Sequence, residues 1–142
     1  MGVVDRYELD DDPARIDLDV VWTALSEEAY WQRWRTRSDV EQQFRTAWRV
    51  IGAYDRSSGS LVGFARAISN GIADGYLCDV FVDPRHRGGG IGGRLVDEMV
   101  NHGTGARFRW FLSTRDAHTL YARYGFVAAD QRMMERPVRQ GL

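Results

Sequence analysis

One segment constrains this chain more than any other. Residues 76–82 read Tyr-Leu-Cys-Asp-Val-Phe-Val, and Asp83-Pro84 follows them directly. Such a run of β-branched, aromatic and aliphatic residues is a strand, and a proline without an N–H cannot continue its ladder. Five glycines then fall within residues 88–93. Behind them Ile91, Leu95, Val96, Met99 and Val100 recur at helical spacing, and Asn101-His102-Gly103 ends the pattern. Residues 108–113 are again strand-like. The spacing predicts a strand–helix–strand crossover across residues 76–113, and no second crossover of that kind is evident. A single crossover favours a mixed α+β sheet over a doubly wound one.

The rest of the chain fits around this unit. Leu18, Val21, Trp22 and Leu25 stand at i, i+3, i+4 and i+7 and predict a helix, with residues 26–34 continuing as a short helix or turn. Ser38 and Glu41 form a capping box before a second helix carrying Val40, Phe44 and Ala47. Residues 48–54 and 61–68 are two β-rich runs around Asp55-Arg56-Ser57-Ser58-Gly59, which is hairpin chemistry. Asp116 is a candidate cap for a short helix through Tyr124, Gly125 its stop, and residues 126–134 should hold the last strands. The expected order is ααβββαβαβ(β). Its 142 residues make one domain, without repeats or linkers.

Composition removes several function classes. Nineteen basic against twenty acidic residues leave a net charge of −1, so a nucleic-acid partner is not expected. No apolar run reaches the ~18–20 residues of a membrane span, and the acidic residues 1–12 lack a signal-peptide layout. Cys78 is the lone cysteine, which precludes an internal disulfide and fits a cytoplasmic location. Every basic residue is arginine, so lysine nucleophiles, Schiff bases and Walker-type phosphate loops are excluded. The histidines, His86, His102 and His118, have no metal-like spacing with carboxylates.

Chemistry concentrates in residues 85–94, Arg-His-Arg-Gly-Gly-Gly-Ile-Gly-Gly-Arg, which hold three arginines and no acid. Glycine lets the backbone take positive φ and lets a ligand approach closely. The unpaired N–H groups and positive dipole end of the following helix complete a site suited to phosphate or pyrophosphate. The bland alternative is a surface loop with solvated arginines. Gly88-x-Gly90-x-x-Gly93 also satisfies the dinucleotide fingerprint, but residues 83–87 separate strand from glycines, and too little chain remains for further parallel strands.

A different family fits these residues. Val82-x-Pro84-x-x-Arg87-Gly88-x-Gly90-Ile91-Gly92 resembles the acetyl-CoA-binding motif of the GNAT N-acetyltransferases, whose core is R/Q-x-x-G-x-G/A. Leu120-Tyr121-Ala122-Arg123-Tyr124-Gly125-Phe126 resembles the family's downstream L-Y-x-x-x-G-F signature, and the likeness spans residues 42–136. It implies a central, mostly antiparallel twisted sheet flanked by helices and splayed between its fourth and fifth strands, here 76–82 and 108–113. It also implies acetyl-CoA as the acetyl donor. Arg87 and the amides of Gly88, Gly89, Gly90, Ile91, Gly92 and Gly93 would hold the pyrophosphate, while the backbone of Val80, Phe81 and Val82 would grip the pantetheine arm.

By the same resemblance Tyr121 protonates the departing thiolate, its alternative being a core tyrosine. Asp79 interrupts an apolar strand, so it is a candidate base, with a pKa raised by desolvation. Two other readings stand beside it: a structural ion pair with a strand arginine such as Arg66, and recognition of a cationic substrate. Asp116 lies five residues before Tyr121, where relatives often carry an asparagine seven before, so only a capping role is read for it. Trp31, Arg33, Trp34, Arg35 and Arg37 occupy the region where this fold commonly builds its acceptor pocket. The arginines are read as solvated, and Trp31 and Trp34 as either core aromatics or part of a site for an acidic or aromatic amine. The implied reaction is direct acetyl transfer to a primary amine, on a small molecule or a peptide. The alternative is a non-catalytic acyl-CoA-binding module of the same fold, and a homodimer stays open.

Overall fold

The computed structural model describes residues 5–29 and 34–138. Strand β1 (Tyr7–Asp10) is followed by α1 (Leu18–Glu27), α2 (Arg37–Thr46), β2 (Arg49–Asp55), β3 (Leu61–Ser69) and β4 (Asp74–Val82). Helix α3 (Ile91–Asn101), β5 (Arg109–Leu112) and α4 (His118–Ala122) complete the order. The strands form one sheet in the order β1-β2-β3-β4-β5, antiparallel throughout except for the parallel pair β4–β5. That parallel pair is the crossover read from residues 76–113, with α3 as its connection.

Alternation along the strands sends side chains to opposite faces, and each face packs against its own helices. Ile51, Ala65, Ala67 and Leu77 meet the apolar stripe of α3, which includes Ile91, Leu95, Val96 and Met99. On the other face Val50, Phe64 and Phe81 meet α1 and α2 through Val21, Leu25, Val40 and Phe44. Phe64 stands between Phe44, edge-on at 5.5 Å, and Phe81, stacked at 5.4 Å. Tyr54 is buried on this same face under the Arg15 guanidinium, 3.8 Å from the ring centroid. Burial pushes its pKa up to about 12, and its hydroxyl has no hydrogen-bond partner among the described residues.

Local signals hold where they are strong. Asp17 caps α1 by accepting from the amides of Asp19 and Val20. The 55–59 turn closes with Gly59 N–H donating to the Asp55 carbonyl at 2.7 Å, with Gly59 at φ +75°. Elsewhere the structure corrects the expectation. The capping box of α2 is Thr36 with Asp39, two residues ahead of Ser38 and Glu41. Glu41 instead pairs with Arg37 and Arg45 one turn to either side. Helix α4 begins at His118 without a side-chain cap; the Ala117 amide donates to Thr114 Oγ1, so Asp116 is not its cap.

Two larger differences concern strands. Residues 7–10 form β1 on the edge of β2, although their acidic setting gave no strand signal. Residues 126–134, expected to carry the last strands, contain none and are mostly exposed. Val127 and Met134 stand 88% and 93% open, so these apolar groups do not build the sheet.

Candidate active site

The β4–β5 ladder is short. Its register runs from Asp74 opposite Arg109 to Leu77 opposite Leu112, and there β5 ends while β4 continues to Val82. Among the described residues, 78–82 therefore have a strand neighbour on the β3 side only. The antiparallel register decides which backbone groups face the opening. Asp83 N–H donates to the Val62 carbonyl at 2.8 Å, Val82 lies opposite Gly63, and Phe81 opposite Phe64. Bonded and non-bonded pairs alternate in such a ladder. Phe81 thus spends its N–H and C=O on β3, whereas Val80 and Val82 turn theirs toward the gap. Of the three strand residues named from the sequence, two border the opening with backbone groups. Phe81 contributes its buried ring to the opposite face instead. A register shift between Arg66 and Ala67 leaves Cys78 as the extra residue of β4 at the point of divergence.

Beyond β4 the chain makes a tight turn at Asp83, whose carboxylate accepts from the Arg85 amide and side chain. His86 Nδ1 lies 2.9 Å from the Tyr7 hydroxyl, which ties the loop to β1. Gly88 and Gly90 adopt φ +88° and +80°. A Cβ at either position would meet nothing within 4 Å, so these glycines serve conformation and open space rather than packing. Gly90 is the N-cap of α3 and offers no side chain to the helix's first amides. The exposed Arg87 donates from Nε to the Val82 carbonyl at 3.0 Å, which places its guanidinium between loop and strand end.

Helix α4 docks on the first turn of α3. A Cβ on Gly92 would lie 3.8 Å from Leu120, and one on Gly93 only 2.5 Å from the Tyr124 hydroxyl. Gly125 follows at φ +88°. Tyr121 is half-buried in α4 and packs against the α3 core, with Phe126 edge-on at 5.7 Å. The two sequence motifs, far apart in the chain, therefore meet at the start of α3.

Asp79 departs most from expectation. It is 1% exposed and lies on the α1/α2 face of β4, the side that carries Phe81. Arg35 binds it with both terminal nitrogens at 3.0 Å, and Arg66 Nε donates to it at 2.8 Å. Burial pushes its pKa up, but the hydrogen bonds and charges of the two arginines outweigh this and hold the carboxyl below the usual range. The expected rise is reversed, and the ion pair with Arg66 is present. Arg35, read as solvated, is 6% exposed and also donates to Gln43 at 2.8 Å. Sequence reasoning missed it because nothing local marks an arginine that pairs with a strand 44 positions away. Arg37 does stay at the surface, paired with Asp19 and Glu41. Trp34 is 65% exposed beside the Arg35 guanidinium, so it is not a core aromatic. Trp31 and Arg33 lie outside the described residues.

Comparison with known proteins agrees with this geometry. The description "Acetyltransferase (GNAT) domain" matches residues 46–128. A crystal structure of a GNAT-family protein from Xanthomonas campestris pv. campestris is 34% identical, covers 94% of each chain and superposes with a TM-score of 0.86. Ard1 from Thermoplasma volcanium, 19% identical, covers 89% of this chain and 86% of its own at a TM-score of 0.71, a likeness of fold. A candidate acetyltransferase of Gibberella zeae is 28% identical over 111 residues, 67% of this chain and 62% of that protein's length.

Proposed function

The chain belongs to the GNAT acetyltransferases, and from that premise we propose that it transfers an acetyl group from acetyl-CoA directly to a primary amine. The observation that carries this reading is the open edge of β4 ending beside the uncapped start of α3. An extended, amide-bearing arm fits the edge where Val80 and Val82 present backbone groups, as an added strand would. A diphosphate would lie in the open space beside Gly88 and Gly90, at the uncapped start of α3, with Arg87 in the same loop. Bound there, acetyl-CoA supplies a thioester open to attack by a neutral amine.

In this reading Tyr121 hands its hydroxyl proton to the thiolate as the carbon–sulfur bond breaks and the new carbon–nitrogen bond forms. The proton lost by the amine leaves through water. Asp79 has no base role here: a carboxylate clasped by two guanidiniums and held below its ordinary pKa is a poor proton acceptor near neutrality. No covalent acetyl-enzyme forms, because burial pushes the Cys78 thiol up and away from the reactive thiolate.

Calorimetry with coenzyme A and acetyl-CoA, followed by an amine panel scored for thiol release, tests the proposal. Tyr121→Phe should bind the coenzyme as the parent does and lose turnover by roughly 10²–10⁴-fold. A parent protein that takes up no coenzyme A, or a Tyr121→Phe variant with undiminished turnover, overturns the corresponding step.

A further inference from the structure

The cluster around Asp79 carries more positive charge than it neutralises. The side chains of Arg35, Arg66 and Asp79 are 3%, 6% and 1% exposed, so the cluster is largely buried and only a sliver of it meets solvent. Among the described residues two guanidiniums face one carboxylate, and Arg35's other partner, Gln43, is neutral. Asp39 senses the charge of Arg35, but it is exposed and its carboxylate is engaged by the Thr36 amide. Residues 30–33, just before Arg35, read Tyr-Trp-Gln-Arg and contain no acid to supply the balance.

The surplus falls on Arg66. Arg35 spends both terminal nitrogens, whereas Arg66 spends only Nε on Asp79. Its two amino groups have no hydrogen-bond acceptor among the described residues, and they are not among the buried atoms without a partner, so they keep contact with solvent. A buried cation is retained when something pairs with it, and a planar guanidinium matches an anionic oxygen group best. The location adds a second argument. Asp79 is adjacent in β4 to Val80, whose backbone borders the gap, yet its side chain lies on the α1/α2 face, opposite α3. An amine that reaches the gap from the α1/α2 face passes this cluster.

We infer that Arg66, oriented by the Arg35–Asp79 pair, binds an anionic group on the acceptor, so that the amines acetylated here carry a carboxylate or a phosphate close to the reacting nitrogen. This rests on the acetyltransferase reading above. The device selects against polyamines and other purely cationic acceptors, which would meet like charge.

Four small amines test it: β-alanine, 2-aminoethyl phosphate, the neutral β-alaninamide and the dication 1,3-diaminopropane. Each is titrated by calorimetry into protein saturated with coenzyme A, and each is assayed for thiol release with acetyl-CoA. At least one anionic amine should exceed both others by about tenfold or more in affinity and in kcat/KM, since a site built around a charged donor rejects ligands that leave it unpaired. Which of the two wins separates carboxylate from phosphate. Arg66→Gln should abolish the preference and Arg66→Lys should keep part of it, with coenzyme A affinity retained in both. Coenzyme A uptake without an anionic preference, including the case where no amine binds, overturns this inference and leaves the donor site standing. Absence of coenzyme A uptake by the parent overturns both.

Discussion

Replacing Asp79 with asparagine tests the energetic reading of the buried cluster. The change keeps the shape and removes the charge that Arg35 and Arg66 engage through hydrogen bonds of 3.0, 3.0 and 2.8 Å. The amide's NH2 would then face a guanidinium donor, and Arg35 and Arg66 would be left buried without their shared anion. Breaking a buried ion pair from one side costs about 3–5 kcal/mol, against a total stability of about 5–15 kcal/mol for a domain. The variant should therefore fold but unfold early. With a urea slope of about 2 kcal/mol per molar, its midpoint should fall by roughly 1.5–2.5 M. The pH dependence follows from the lowered pKa of Asp79. A depressed carboxyl contributes stability above its unfolded value of about 3.9, and that contribution is lost as pH falls through the native value. The gap between parent and variant should be full at pH 7, begin to narrow only below about pH 4, and close once pH has fallen through the lower native value. Urea melts monitored by tryptophan fluorescence at pH 7 and at steps downward from about pH 4 provide the assay. A loss under about 1 kcal/mol at pH 7, or a gap that persists unchanged into acid, refutes the account.

Other positions give independent checks. Gly90→Ala forces a side chain into φ +80° with empty space around it, so it should cost about 1–2 kcal/mol in strain alone and weaken coenzyme A binding by calorimetry. Gly93→Ala should displace Tyr124 and loosen α4, whereas Gly92→Ala meets only ordinary contacts at 3.7–3.8 Å; hydrogen exchange of residues 118–125 should rise in the first and not the second. Tyr54→Phe removes a buried hydroxyl that lacks a partner among the described residues, and should raise thermal stability by about 1 kcal/mol. Leu95→Ala empties a fully buried site between α3 and the sheet and should cost about 2–5 kcal/mol in the same melts.

What the amino acids determined by themselves is what depends on neighbours in the chain. Apolar periodicity and turn chemistry placed α1, α3, β4 and the 49–69 hairpin, because each is specified by residues within a few positions of one another. The glycines between β4 and α3 announced a backbone that takes positive φ, and Gly88 and Gly90 do. Their order with the 120–126 segment carried the likeness to a family, since both motifs are short and linear. Strand β1 escaped because four residues in an acidic stretch hold too little pattern, and their pairing with β2 is a long-range event. The last strands were expected from apolar residues that the fold leaves in water, since a β-rich composition does not by itself supply a partner edge.

Tertiary structure alone decided the state of Asp79. Its face is set by the parity of β4 against β3, and its partners arrive from a neighbouring strand and from the residue before α2. From the sequence it could equally be a base, an ion-pair partner or a substrate contact, because desolvation and nearby cations pull a carboxyl in opposite directions. Which pull prevails depends on distances in three dimensions, and two guanidiniums within 3.0 Å settle its direction.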